Sequence, residues 1–239
     1  MKYFVVSDVH DHYYLLKDVL DKNGFDINND DHKLIICGDS FTGGPNPGEL
    51  YKFLKLLHDK KNLIFIYGNH DLDLMNNIEK GVYSKYNQKC IDKIIEYGYD
   101  IKEVGNFIKE VTVPYFEIND YIFIHGFIPT IKNEYNPNWR GSSDKEFYTS
   151  TIKDGMKLSM FYKIKEPNKK IVFGHFSAAR CYKMNNATIA DWNNKIYKDV
   201  KDVPLYGFKT FCGDSFIALD SSVKKTKFLN LLVIKDIKS

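Results

Sequence analysis

The sequence predicts an α/β fold, a parallel sheet covered by helices, and three observations carry that prediction. Short apolar runs alternate with stretches of 3-4 apolar spacing from Tyr3 to Tyr67, the βαβαβ rhythm of parallel strands joined by crossover helices. The chain has 239 residues, 44% hydrophobic and 27% charged, enough for a sizeable core and too much for a disulfide miniprotein or a disordered chain. No repeat, low-complexity tract or clear linker interrupts it, so it reads as a single domain, 1–239.

The elements follow in order. Tyr3 to Ser7 is a first strand, and Leu15, Leu16, Val19 and Leu20 mark a helix that Gly24 closes. Leu34 to Cys37 is a second, buried strand, followed by a loop rich in Gly and Pro from Gly38 to Pro47. Leu50, Phe53, Leu54 and Leu57 define the next helix, and Leu63 to Tyr67 the third strand. Residues 72–100 read as helical, with Ile91, Ile94 and Ile95 as core candidates. Ile108 to Val113 and Tyr115 to Ile118 read as strand, interrupted by Pro114, and Asn119-Asp120 turns the chain into Tyr121 to His125. A helix is expected around Asp144 to Tyr162, a strand over Lys170 to Phe173 and a polar surface loop over 183–205. Phe216 to Leu219 and Phe228 to Ile234 read as a closing hairpin.

Composition excludes several classes of function. A net charge of +3, from 34 basic and 31 acidic residues, is too balanced for a nucleic-acid or anionic-membrane partner. Four scattered cysteines with no CxxC pair speak against a zinc finger and for reduced thiols. The opening apolar run is too short for a signal peptide, and no stretch approaches the roughly 20 apolar residues of a membrane span, so a cytoplasmic location is expected. Only Arg140 and Arg180 among the 34 basic residues are arginine, which leaves few guanidinium forks for a phosphate.

Five apolar runs end on a metal-type ligand: Asp8-x-His10, Gly38-Asp39, Gly68-Asn69-His70-Asp71, His125-Gly126 and Gly174-His175. Ligands of α/β sheets gather at the carboxyl ends of strands, so these distant residues are expected to converge. Carboxylate and amide oxygens with imidazoles suit two divalent cations, Mn, Fe or Zn. Four of the seven histidines fall at these ends; His12, His32 and His58 do not, and read as structural.

In this order the five pieces resemble the calcineurin-like metallophosphoesterases, closest to the serine/threonine phosphoprotein-phosphatase branch and its small bacterial and phage relatives. Asn138-Trp139-Arg140 and the segment after it are similar to bacterial members. The resemblance implies the metallo-dependent phosphatase fold, a two-sheet β-sandwich flanked by helices with a two-metal centre at one rim. It implies that Asp8 and His10 bind a first metal, Asp39 bridges both, and Asn69, His125 and His175 complete the second. It also implies phosphoester hydrolysis by a hydroxide activated between the metals, with His70 as the general acid and Asp39 as the shared catalytic carboxylate.

Two departures stand in the loop where the family reads Gly-Asp-x-x-Asp-Arg-Gly. Thr42 replaces the aspartate that orients the catalytic histidine, and Gly43 replaces an arginine that grips phosphate. Substrate contacts are therefore expected from Asn69, from the backbone of Gly43 and from Arg140, unless Arg140 simply stacks on Trp139. Arg180 is the weaker candidate. Gly174-His175-Phe176-Ser177 lacks the second histidine of Gly-His-x-His, as in the protein-phosphatase branch. The leading expectation is a manganese phosphomonoesterase acting on phosphorylated protein or a small phosphoester. The alternatives are a nucleotide, dinucleoside polyphosphate or phosphodiester hydrolase, and a metal-binding regulator without catalysis.

Overall fold

The computed structural model describes residues 1–150, 164–178, 181, 206–209 and 215–235. Strands β1 (Lys2–Val6), β2 (His32–Cys37) and β3 (Leu63–Ile66) run parallel, joined by helices α1 (Tyr13–Lys22) and α2 (Pro47–Asp59). β4 (Thr112–Val113) adds a parallel edge beside β3, and β12 (Leu232–Lys235) pairs antiparallel with β1 on the other side. A second five-stranded sheet has the order β10 (Tyr206–Lys209), β11 (Ser215–Ala218), β9 (Lys170–Phe173), β6 (Tyr121–Ile124), β5 (Tyr115–Ile118). Its three central strands are parallel and both edges antiparallel. β7 (Thr130–Ile131) and β8 (Glu134–Tyr135) form a small separate hairpin.

The alternation of side chains along each strand explains why two sheets stack. Tyr3, Val5, Ile35, Cys37 and Ile66 of the first sheet meet Phe123, Val172 and Leu219 of the second. The intervening residues Phe4, Val6, Leu34, Ile36 and Phe65 turn the other way, into a core shared with Leu16 and Leu20 of α1 and Leu50, Leu54 and Leu57 of α2. On the far side of the second sheet, Ile122, Ile124, Ile171 and Phe173 pack with Trp139, Phe147 and Phe176. Both faces of the central strands are thus buried, which is why they read as unbroken apolar runs.

Several expectations are corrected. The helical stretch 72–100 is two helices, α3 (Asn69–Lys80) and α4 (Lys85–Glu96), because Gly81 takes the left-handed conformation, φ 64°, and stops the first. The strand expected over Ile108 to Val113 is mostly helix: α5 (Ile101–Val111) starts at Asp100, whose side chain accepts from Lys102 N, and it buries Val104, Phe107 and Ile108 at helical spacing. Only Thr112 and Val113 are strand. The closing hairpin does not form. β11 stays in the second sheet, while the chain crosses through the short helix α7 (Val223–Thr226) so that β12 can satisfy the open edge of β1. The helix expected from Asp144 is seen as α6 (Asp144–Thr149), and its continuation, like the loop 183–205 and Arg180, lies outside the described residues. Among the described residues, no helix is long and apolar enough to cross a membrane.

Phe4, fully buried and edge-on to Phe25 and His32, tests the packing of the first sheet against its helices. Phe4→Ala is expected to cost about 3–5 kcal/mol of stability, read as a lowered urea midpoint with an unchanged denaturant slope.

Candidate metal centre

The chain leaves β1, β2, β3, β6 and β9 at their carboxyl ends, and the next residues hold one another in place. Asp8 N donates to Gly38 O at 3.0 Å, His10 N to Asp39 O at 3.0 Å and Gly174 N to His125 O at 2.8 Å. His175 N donates to Asp8 Oδ2 at 3.0 Å, which ties the rim of the second sheet to that of the first. Asp8, His10, Asp39 and His175 all adopt positive φ, between 46° and 61°. Non-glycine residues in this region are uncommon and strained, and four of them gather at this rim.

Two ligand sets result. The donor atoms of Asp8, His10 and Asp39 lie within 4.8 Å of one another, and so do those of Asp39, His125 and His175. Asp39 belongs to both. Asn69 joins the second set, its Oδ1 3.2 Å from His125 Nε2. The six residues named as ligands from the sequence therefore converge on one place.

Two of the imidazoles are aimed by the same device. His10 Nδ1 is 3.0 Å from Thr42 O, and His125 Nδ1 is 2.9 Å from Cys37 O. A carbonyl only accepts, so each Nδ1 carries the proton, and each Nε2 turns its lone pair towards Asp39, at 3.9 Å and 3.4 Å. Burial, against the charge of Asp39 and helped by those of Lys224 and His70, holds His10 down to about 4, the neutral state a metal ligand needs. Burial opposes charge on His125 too, but Asp39 and Asp8 hold it up to about 10. Asp8 is raised far above the ordinary carboxylate range by burial and by Asp220 and Asp39. Burial also opposes ionisation of Asp39, yet His125, His70 and His10 override it and keep the carboxyl below its usual range. Crowded buried carboxylates among imidazoles, oxygen and nitrogen donors together, fit a pair of divalent cations.

The surrounding loop acts through its backbone. Thr42 Oγ1 is buried and has no hydrogen-bond partner, so it does not orient His70; the residue acts through its carbonyl, which receives His10 and Tyr86 Oη. Asp71 does not face His70 either. Its Oδ1 accepts from Ser40 N and Phe41 N, both at 3.0 Å, and its Oδ2 from Gly68 N at 2.9 Å, stapling the Asp39 loop to the start of α3. Burial and the charge of Asp39 still push it up to about 7. His70 is fixed by its backbone N–H on Asp39 Oδ1, 2.9 Å, and by ring contacts with His10 and Tyr86 at 5.2 and 5.4 Å. Ser7, which the sequence did not single out, sets its Oγ against Asp8 Oδ2 and 2.8 Å from Cys37 O.

Arg140 is already engaged. It sits in a 3-10 turn, Trp139–Gly141, with its guanidinium 4.4 Å above the Trp139 ring. Nε pairs with Glu117, and the two terminal nitrogens reach Glu166 at 3.1 and 3.0 Å. Glu166 also receives Trp139 Nε1 at 2.6 Å and Tyr135 Oη at 2.8 Å. Of the two readings of Arg140, the geometry favours stacking and structural pairing over phosphate contact.

A two-sheet sandwich with a shared carboxylate between two ligand sets defines a class of metal-dependent phosphoesterases. The chain belongs to the calcineurin-like phosphoesterase family, whose model matches residues 1–206. It is 35% identical over 112 residues to a symmetrical bis(5'-nucleosyl)-tetraphosphatase of Proteus mirabilis, a match covering 46% of this chain and 38% of that protein's length. Among solved structures, one provisionally assigned as a diadenosine tetraphosphatase aligns with TM-score 0.56 and 16% identity over 100% of this chain and 95% of its own. A serine/threonine phosphatase of Saccharomyces cerevisiae aligns with TM-score 0.52 and 21% identity, covering 74% of this chain and 62% of the other. At these identities the structural likeness speaks for the fold.

Two variants test the site's construction. A Cβ on Gly68 would overlap both the backbone N and the carboxylate of Asp39, so Gly68→Ala is expected to abolish divalent-cation binding by calorimetry while far-UV circular dichroism stays unchanged. Arg140→Ala leaves buried Glu166 short of two donors; a stability loss of about 1–2 kcal/mol with an unchanged Michaelis constant is expected in denaturation and steady-state assays.

Proposed function

We propose that this centre hydrolyses phosphoesters and that its substrate is a dinucleoside polyphosphate. The observation that supports hydrolysis is the membership of Asp39 in both ligand sets. Bound there, a pair of divalent cations, Mn in the first instance and Fe or Zn otherwise, supplies charge neutralisation for the phosphoryl oxygens and acidifies water at neutral pH. Asp39 offers one oxygen to each set, and the imidazoles around it keep it ionised despite its burial. Asn69 adds a neutral amide oxygen without adding charge. His70, its side chain 30% exposed and Nε2 3.9 Å from Asp39 Oδ2, stands at the open side, placed to protonate the departing oxygen.

Two observations favour the dinucleotide. The sequence relatives with a named activity are symmetrical bis(5'-nucleosyl)-tetraphosphatases, although the chain spans well under half their length. Beside Gly43 and Gly44 lies a cavity of about 730 Å³ with Lys89, Lys93 and Lys227 against one carboxylate, Asp92, on its wall, room and net positive charge for a long anionic substrate. Hydrolysis of phosphoserine or phosphothreonine in protein is the second reading, favoured by Ser177 at the position of the missing second histidine.

A panel of a dinucleoside tetraphosphate, a phosphopeptide and a simple phosphodiester, each with Mn, Fe, Zn or Mg, tests this reading. The dinucleotide is expected to turn over fastest, and His70→Ala is expected to lower its kcat by about 10²–10⁴. Faster turnover of the phosphopeptide would replace the substrate; no turnover of any ester by metal-loaded protein would make the chain a regulator.

A further inference from the structure

Lys224 lies in α7, some 180 residues from the motif loop in sequence, yet its side chain comes back to that loop. A Cβ built on Gly43 would overlap Lys224 Cε and Tyr86 Oη, so the side chain that position 43 lacks would stand where this lysine and this tyrosine stand. Gly43 has φ 116°, a conformation that other residues rarely adopt, and the loop keeps that space open.

The lysine is held rather than waving free. Its Nζ donates to Tyr86 Oη and lies 4.9 Å from the centroid of the Tyr86 ring. Tyr86 Oη in turn donates to Thr42 O at 3.1 Å, the same carbonyl that fixes His10, and the Tyr86 ring packs 5.4 Å from that of His70. A chain of contacts thus runs from the ammonium to a ligand of one set and to the acid. Among the described residues, no carboxylate lies within ion-pairing distance of Lys224. A half-buried ammonium with a fixed stem, an aromatic support and no ion-paired carboxylate among the described residues is suited to meet an anionic oxygen.

We propose that Lys224, supported by Tyr86, binds a non-bridging oxygen of the substrate's phosphoryl group and takes the part that an arginine at position 43 would play. This rests on the phosphoester reading of the centre, and the test separates the two. Mn-loaded protein is titrated with inorganic phosphate by calorimetry, alongside metal content and the kinetics of the best ester of the panel, for wild type, Lys224→Gln, Lys224→Arg and Tyr86→Phe. Lys224→Gln is expected to weaken phosphate binding about tenfold or more and to raise the Michaelis constant in parallel, with metal content unchanged. Lys224→Arg is expected to stay within a few-fold of wild type, and Tyr86→Phe to fall between, since it frees the ammonium without removing it. Wild-type phosphate affinity and Michaelis constant in Lys224→Gln, with turnover intact, would overturn the role of Lys224 alone. A wild-type protein that neither binds phosphate nor hydrolyses any ester would overturn the phosphoester reading, and this inference with it.

Discussion

The structure turns on one carboxylate that must stay ionised where water is scarce. Asp39 is almost fully buried, and burial alone would protonate it. Three histidines, delivered from the ends of β1, β3 and β6, surround it and offset that penalty. The constraint propagates outwards. His10 and His125 can face Asp39 with a lone pair only because backbone carbonyls fix their other nitrogens, and those carbonyls belong to Thr42 and Cys37, in the same loop and strand that carry Asp39. Asp71 then clamps this loop from the helix that carries Asn69 and His70. The parallel order of the strands is what brings these pieces to a common rim, so topology and electrostatics specify the same place.

Much of this was legible in the sequence, for identifiable reasons. β1, β2, β3, β6 and β9 are buried on both faces, so they stand out as apolar runs, and each is followed at once by its ligand. The errors came where local pattern and tertiary need diverge. Ile108 to Val111 looks like strand because Ile and Val are β-branched, but Val104 and Phe107 continue the same stripe backwards to the cap at Asp100, and the helix prevails. Phe216–Leu219 and Phe228–Ile234 look like neighbours, yet nothing in a single sequence says that the edge of β1 lacks a partner. Thr42 stands out in the sequence as a missing carboxylate and matters through its carbonyl, which no residue-type argument reaches. Tyr86 and Lys224 carry no motif at all; only the fold brings them to Gly43.

The scarcity of arginine acquires a structural meaning through these contacts. One of the two guanidiniums is spent on Glu117 and Glu166, where a planar fork over Trp139 anchors the far side of the second sheet. The charges near the centre are lysines: Lys224 on Tyr86, and Lys93, whose Nζ holds Gly44 O at 3.0 Å. An ammonium is a point charge that accepts many approach angles, whereas a guanidinium dictates one. Lysines at this rim leave the approach angle of an anion open.

The left-handed backbone at Asp8, His10, Asp39 and His175 has a thermodynamic sequel. Each such residue costs of order 1–3 kcal/mol against a relaxed turn, and the crowding of Asp8, Asp39 and Asp220 adds to it. A ligand that binds the folded form and not the unfolded one would offset that cost to an extent set by its concentration and affinity. A divalent cation held by the two candidate sets would therefore link the folded population to the activity of such ions in the surrounding medium. With a cation there, scarcity of such ions would bring the chain closer to unfolding, and chelation and heat would act on it as one stress.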